Sequence, residues 1–198
     1  LPLRNGPNQI EVVALDDSNE LESVAVGTVA EGRTSARQGQ LWAVVVGING
    51  YANPDMRLNY ARPDAEAMAA ILSRTGPSSF SATHIVTLFD ADATNVNIVR
   101  TVAKMAESMA ESDTFILYLS GHGANLQGHY SFVSYDVVGL HPGQIKLGGL
   151  PQEALQYLLA GVPAGSAIVM IDTCYSGRAV TLSDSNMLIR NADRRLSR

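Results

Sequence analysis

The chain has 198 residues, 46% of them apolar, and a formal net charge of −5 from 14 basic and 19 acidic side chains. That length and apolar content allow one full domain core with an appendage. The acidic balance argues against nucleic acid or an acidic membrane as a partner, and no apolar run nears the ~20 residues of a membrane span.

Leu1-Pro-Leu-Arg4 does not read as a signal peptide. A single cysteine forbids an internal disulfide, and it leaves the compartment open. With no CxxC and no His/Cys cluster, a zinc site is not expected.

Residues 1 to 38 differ in character from the rest. Gln9 to Leu15 and Leu21 to Val26 read as two strands, with a turn at Asp16-Asp-Ser-Asn19. Such a hairpin needs a sheet to join, either the edge of the following domain or the end of a separate β-sandwich. Either way it suggests a piece of a longer protein. Glu31 to Gly39 is the linker.

Leu41-Trp-Ala-Val-Val-Val-Gly-Ile48 is apolar on both faces and reads as a central strand. After a polar loop to Asn59, Ala61, Ala65, Met68, Ala69 and Leu72 recur at helical spacing, and Gly76-Pro77 is the expected stop. Ile85 to Phe89 is the next strand. Thr94 reads as the N-cap of a helix carrying Ile98, Val102, Met105 and Met109 on one face. A strand over Phe115 to Leu119 leads into Ser120-Gly-His-Gly123 and a Gly-rich loop to Gly128. Tyr130 to Tyr135 alternates as a short strand. A Gly/Pro-rich crossover (Gly139 to Gly149) precedes a helix with Leu155, Leu158 and Leu159 on one side. The last strand runs from Ile168 into Asp172-Thr-Cys-Tyr-Ser-Gly177. Strands alternating with helices predict a three-layer α/β domain with a mostly parallel sheet over residues 39 to 180. Thr181 to Arg198 is polar and reads as a surface tail.

Two apolar strands thus end in a His motif and a Cys motif, 174 − 122 = 52 positions apart. Open α/β sheets place their sites at the carboxyl ends of their strands. A thiol is a weak nucleophile until a neighbouring imidazole raises its thiolate fraction, so Cys174 and His122 together point to a cysteine hydrolase. The bland reading of a lone Cys is a small buried hydrophobe. The backbone N–H groups of Gly123 and Cys174 are candidates for an oxyanion hole. Residues two apart on a strand share a face, so Asp172 goes with Cys174 and Ser120 with His122.

Ser120-Gly-His-Gly123 with Asp172-Thr-Cys-Tyr-Ser-Gly177 resembles the caspase and metacaspase superfamily, closest to its prokaryotic metacaspase-like (orthocaspase) branch. The likeness extends over Leu41 to Gly177 and takes in Val44-Val-Val-Gly-Ile-Asn49 and Asp64-Ala65. It implies a caspase-like fold and a Cys174–His122 dyad acting on protein or peptide substrates. It also implies that the amino-terminal hairpin resembles the end of an immunoglobulin-like module. In metacaspases a pocket for a basic residue is built by residues that match Asp64, Ser120 and Asp172, so cleavage after Arg, and perhaps Lys, is the expectation. True caspases use arginines there, and Arg57 and Arg62 lie near the first position.

Each pocket residue also has a plain structural reading. Asp64 would charge a helix first turn, Asp172 would tie neighbouring loops, and Ser120 would be a small residue at a strand end. His84, His129 and His141 read as surface or structural. No metal is needed for the chemistry, although Asp90, Asp92 and Asp136 could form a calcium site of the kind some metacaspases use. Arg198, in an Arg-rich tail, is a candidate autoprocessing site that would release a carboxyl-terminal small-subunit fragment as partner; an arbitrary chain end is the competing explanation. The rival functions are a catalytically silent pseudoprotease used for binding, and a more distant gingipain- or separase-like relative.

Overall fold

The computed structural model describes residues 6–12, 26–32, 39–173 and 187–191. The chain divides into two compact units, Leu1–Arg37 and Gln38–Arg198. In the first, strand β1 (Gly6–Val12) pairs antiparallel with β2 (Val26–Gly32) as a two-stranded sheet of its own. The hairpin is present; of the second strand expected over Leu21 to Val26, residues 21–25 lie outside the described residues. Its register joins Val12 to Val26.

The second unit is built on a parallel sheet. Its strands are β3 (Leu41–Gly47), β4 (Thr83–Phe89), β5 (Thr114–Gly121), β9 (Ser166–Thr173) and β10 (Met187–Asn191). They lie in the order β10-β9-β5-β3-β4, every neighbouring pair parallel. Central β3 is buried throughout, as expected of a strand covered on both faces. Leu41, Ala43 and Val45 meet Ala65 and Leu72 of helix α1 (Ala61–Ser79) together with Ile116 and Tyr118. Trp42, Val44 and Val46 face the opposite core. That core draws on Ile98, Val102 and Met105 of α2 (Asn95–Ala106) and on Leu155 and Leu159 of α4 (Gln152–Ala160). The three-layer expectation is met.

Helix α1 runs through Gly76-Pro77 to Ser79 instead of stopping there. Pro77 sits in the last turn, and the carbonyl it deprives of a partner belongs to Ser73, which is exposed and open to water. Thr94 caps α2 as expected, accepting from Asn97 N at 3.2 Å.

The Gly-rich stretch after His122 folds as strand β6 (Gly123–Leu126), paired antiparallel with β7 (His129–Phe132). Gln127 (φ 55°) and Gly128 (φ 98°) form the joining turn, the mirror-image type that fits a two-residue hairpin. The Gly/Pro crossover contains the short helix α3 (Pro142–Gly148) and strand β8 (Leu150–Pro151), which completes this second sheet. In the polar tail, Met187–Asn191 adds to β9 as an edge strand. Its Met-Leu-Ile triplet is the only apolar run there, and the β9 edge offers unpaired backbone groups.

One interaction fixes the amino-terminal edge of the sheet. The nearly fully buried Asp113 carboxylate accepts from Gln40 N (2.8 Å), Trp42 Nε1 (2.9 Å) and Ala110 N (3.0 Å). Burial alone would raise its pKa; the donated hydrogen bonds outweigh burial and hold it below the ordinary carboxylate range. A lowered native pKa means stability that is full above the unfolded value, about 3.9, and lost as pH falls through the native one. Urea unfolding followed by the single Trp should therefore weaken on acidification in wild type, with a flatter acid limb in Asp113→Asn. Removing the carboxylate with Asp113→Ala should cost about 1–3 kcal/mol at neutral pH.

Candidate active site

The described candidate residues Ser120, His122 and Asp172 sit at the carboxyl edge of the parallel sheet. The β5–β9 register pairs Ser120 with Asp172 and Gly121 with Thr173. The residues that follow that last pair in the chain are His122 and Cys174. His122 is half-buried, and its ring Nε2 lies 2.8 Å from the Met56 carbonyl. A carbonyl can only accept, so Nε2 carries the hydrogen and Nδ1 is left as the basic nitrogen.

The backbone of His122 is held by a phenol. Val133 N donates to His122 O at 2.9 Å, so these residues form a hydrogen-bonded pair that extends the β6–β7 ladder. The reciprocal bond is bridged: His122 N donates to Tyr51 Oη (2.7 Å), which donates to Val133 O (3.3 Å). Burial, above all, raises the Tyr51 phenol far above its ordinary value, so it stays protonated for this bridge. Antiparallel ladders alternate; the next pair, Gly123 and Phe132, turns its N–H groups away from each other. Among the described residues, Gly123 N–H is thereby directed to the side of β6 away from β7. Gly121 has no room for a side chain, since a Cβ there would lie 2.7 Å from Tyr51 Oη.

A carboxylate group lies on the α1 side of the same edge. Asp172 Oδ2 accepts from Tyr118 Oη at 3.2 Å and from Ser120 Oγ at the longer distance of 3.5 Å. Burial raises the Tyr118 phenol, and the charges of Asp172 and Asp64 raise it further. Asp64, in the first turn of α1, is thus electrostatically coupled to the same hydroxyl. Helix α1 reaches this edge because Gly47 lacks a side chain: a Cβ there would lie 2.5 Å from Ala65 Cβ. Ser120 is buried, while Asp64 and Asp172 are half-exposed. Such a cluster favours a cation over an anion.

The family model described as the caspase domain matches residues 40–195. This chain belongs to the caspase domain family. That family is one of peptidases. Among solved structures, that of protein GSU0716 from Geobacter sulfurreducens matches with a TM-score of 0.54 at 24% identity. The match covers 69% of this chain and 51% of that one; at such identity it speaks to the fold alone. The chain spans about half the length of that neighbour. No curated protein matches it.

In this caspase domain the other sequence candidates separate. Arg62 is taken up by Asp90 (2.7 Å) and Glu66 (2.9 Å). Asp90 also accepts from the amides of Asn49 and Gly50, both at 2.9 Å. Burial opposes ionisation of Asp90, but these bonds prevail and its pKa is lowered. Asp136 receives Asn95 N at 3.2 Å. Among the described residues no group of three or more His, Cys, Asp or Glu is gathered to hold a metal. His84 stacks on Trp42 and meets Gln40 Oε1 at 2.7 Å, His129 pairs with Glu153 at 2.6 Å, and His141 caps α3. Cys174 and Arg198 lie outside the described residues.

Sequence reasoning missed Tyr118, Tyr51 and the Met56 carbonyl. Strand periodicity offered the first, two positions before Ser120; no local pattern marks the other two. The Gly121–Tyr51 fit has a thermodynamic signature. Gly121→Ala should cost about 1–3 kcal/mol by overpacking, measured by urea unfolding. The cost should be smaller in a Tyr51→Phe background, where the obstructing oxygen is gone.

Proposed function

We propose that this caspase domain is a metacaspase-type endopeptidase that cleaves after Arg, and after Lys more weakly, with Cys174 as nucleophile and His122 as general base and acid. The observation that carries the reading is the β5–β9 register, because it brings the strand ends leading into His122 and Cys174 side by side. The Cys174 thiol gives its proton to His122 Nδ1, and the sulfur attacks the scissile carbonyl carbon. The N–H groups of Gly123 and Cys174 receive the oxyanion. The C–N bond then breaks, His122 protonates the departing amine, and a thioester remains. Water, deprotonated by His122, hydrolyses it to a carboxylic acid and restores the thiol.

Specificity rests on Asp64, Ser120 and Asp172. Tyr118 and Ser120 steady the Asp172 carboxylate, which is then free to pair with a guanidinium, bidentate where geometry allows. Arg62 does not compete for it, being engaged by Asp90 and Glu66. The same preference makes the basic tail that includes Arg194, Arg195 and Arg198 a substrate of the enzyme itself. Cutting near Arg198 would separate the domain from its small-subunit fragment. Calcium enters this proposal as an activator, with no ligand group assigned.

Hydrolysis of matched peptide reporters ending in Arg, Lys or Asp, with and without calcium, tests the reading. Wild type should turn over Arg best and Cys174→Ala should be inactive. Asp172→Asn should lose roughly tenfold or more in kcat/KM on Arg. Preference for Asp would overturn the pocket, and no Cys-dependent turnover of any reporter would favour a binding pseudoprotease. Intact mass of wild type beside Cys174→Ala tests autoprocessing, which fails if both are cut alike.

A further inference from the structure

We propose that Asp90 is a positioning residue for His122, acting through the loop Ile48 to Asn59; the inference rests on His122 being the general base proposed above. Two atoms of that loop hold His122 directly: Tyr51 Oη takes its backbone N–H, and the Met56 carbonyl takes its ring Nε2–H. The loop itself hangs on Asn49. Its backbone N–H goes to Asp90 Oδ1, its carbonyl closes the loop by accepting from Leu58 N at 2.9 Å, and its side-chain oxygen accepts from Arg62 N at 3.0 Å. Gly50 N–H converges on the same Asp90 oxygen, and Arg62 Nη1 holds the other at 2.7 Å. One carboxylate on the neighbouring strand end therefore fixes where the loop leaves the sheet, and thereby where its two contacts with His122 fall.

The backbone at Asp90 supports a dedicated role. Its φ of 46° is in the left-handed region, which side chains other than Asp and Asn seldom occupy. In that conformation the carboxylate accepts from the Asn49 and Gly50 amides. Asn tolerates that conformation equally well, so Asp90→Asn removes the charge without adding backbone strain. Loss of the charge weakens both amide bonds and the Arg62 bridge together. The loop then shifts, and His122 loses the bond that selects its Nε2–H tautomer. A misplacement of about 1 Å can cost a hundredfold in rate.

The test reads the histidines directly. In the full chain carrying Cys174→Ala, ¹⁵N NMR of the four imidazoles should show His122 in the Nε2–H form. Asp90→Asn and Tyr51→Phe should each mix its tautomers and leave His84, His129 and His141 unmoved. In the active protein the same two variants should lower kcat on the Arg reporter about tenfold or more with KM within about twofold. Glu66→Gln, which removes only the exposed helix partner of Arg62, should change neither. An unmoved His122 signal in folded Asp90→Asn overturns the proposal. Should that variant fail to fold, an unmoved signal in Tyr51→Phe does the same. An inactive wild type refutes the dyad, while the NMR still decides the positioning role.

Discussion

The site depends on the register of two parallel strands. β5 and β9 each enter as an apolar run buried in the sheet, and the pairing of Leu117 with Val169 and Leu119 with Ile171 carries through to Ser120 with Asp172. A slip of one residue would exchange the faces of every side chain on one strand. It would drive Asp172 into the core that holds Leu117 and Leu119, and take it away from Tyr118. The apolar core therefore enforces the alignment of the polar ends. In a caspase domain this is how residues 52 positions apart in sequence come to adjacent strand ends.

The two ends of the sheet are secured by different means. At the amino edge, Asp113 draws the start of β5, the preceding turn and the start of β3 onto one carboxylate. At the carboxyl edge, where chemistry needs open groups, the ladder is interrupted. A Tyr51 hydroxyl stands between His122 and Val133 where a direct bond would otherwise form. That insertion costs a ladder bond and gives a fixed histidine beside a strand that, among the described residues, pairs on one side alone. The carboxylates of Asp64 and Asp172 share this edge and keep charge close to a buried phenol.

Much of this was legible in the sequence because it is written in local pattern. Apolar runs marked β3, β5 and β9, and Thr94 announced its helix. The places where sequence reading went astray have physical reasons. A Pro in a last turn removes a hydrogen bond that water can replace, so α1 outlasted its expected stop. Glycines after His122 looked like a loop because a β-hairpin with a mirror-image turn also needs residues that accept positive φ. The contacts holding His122 come from a hydroxyl 71 positions away and from a main-chain carbonyl. Neither has a residue-type signature, so neither could be read before the fold was known.

The most direct test of the account is covalent trapping with an Arg-derived peptidyl ketone electrophile, followed by peptide mapping. The account predicts modification of Cys174, much faster than by the matching Asp-derived probe, and abolished in folded His122→Ala. An unlabelled Cys174 in folded wild type, or labelling that proceeds equally without His122, would contradict it.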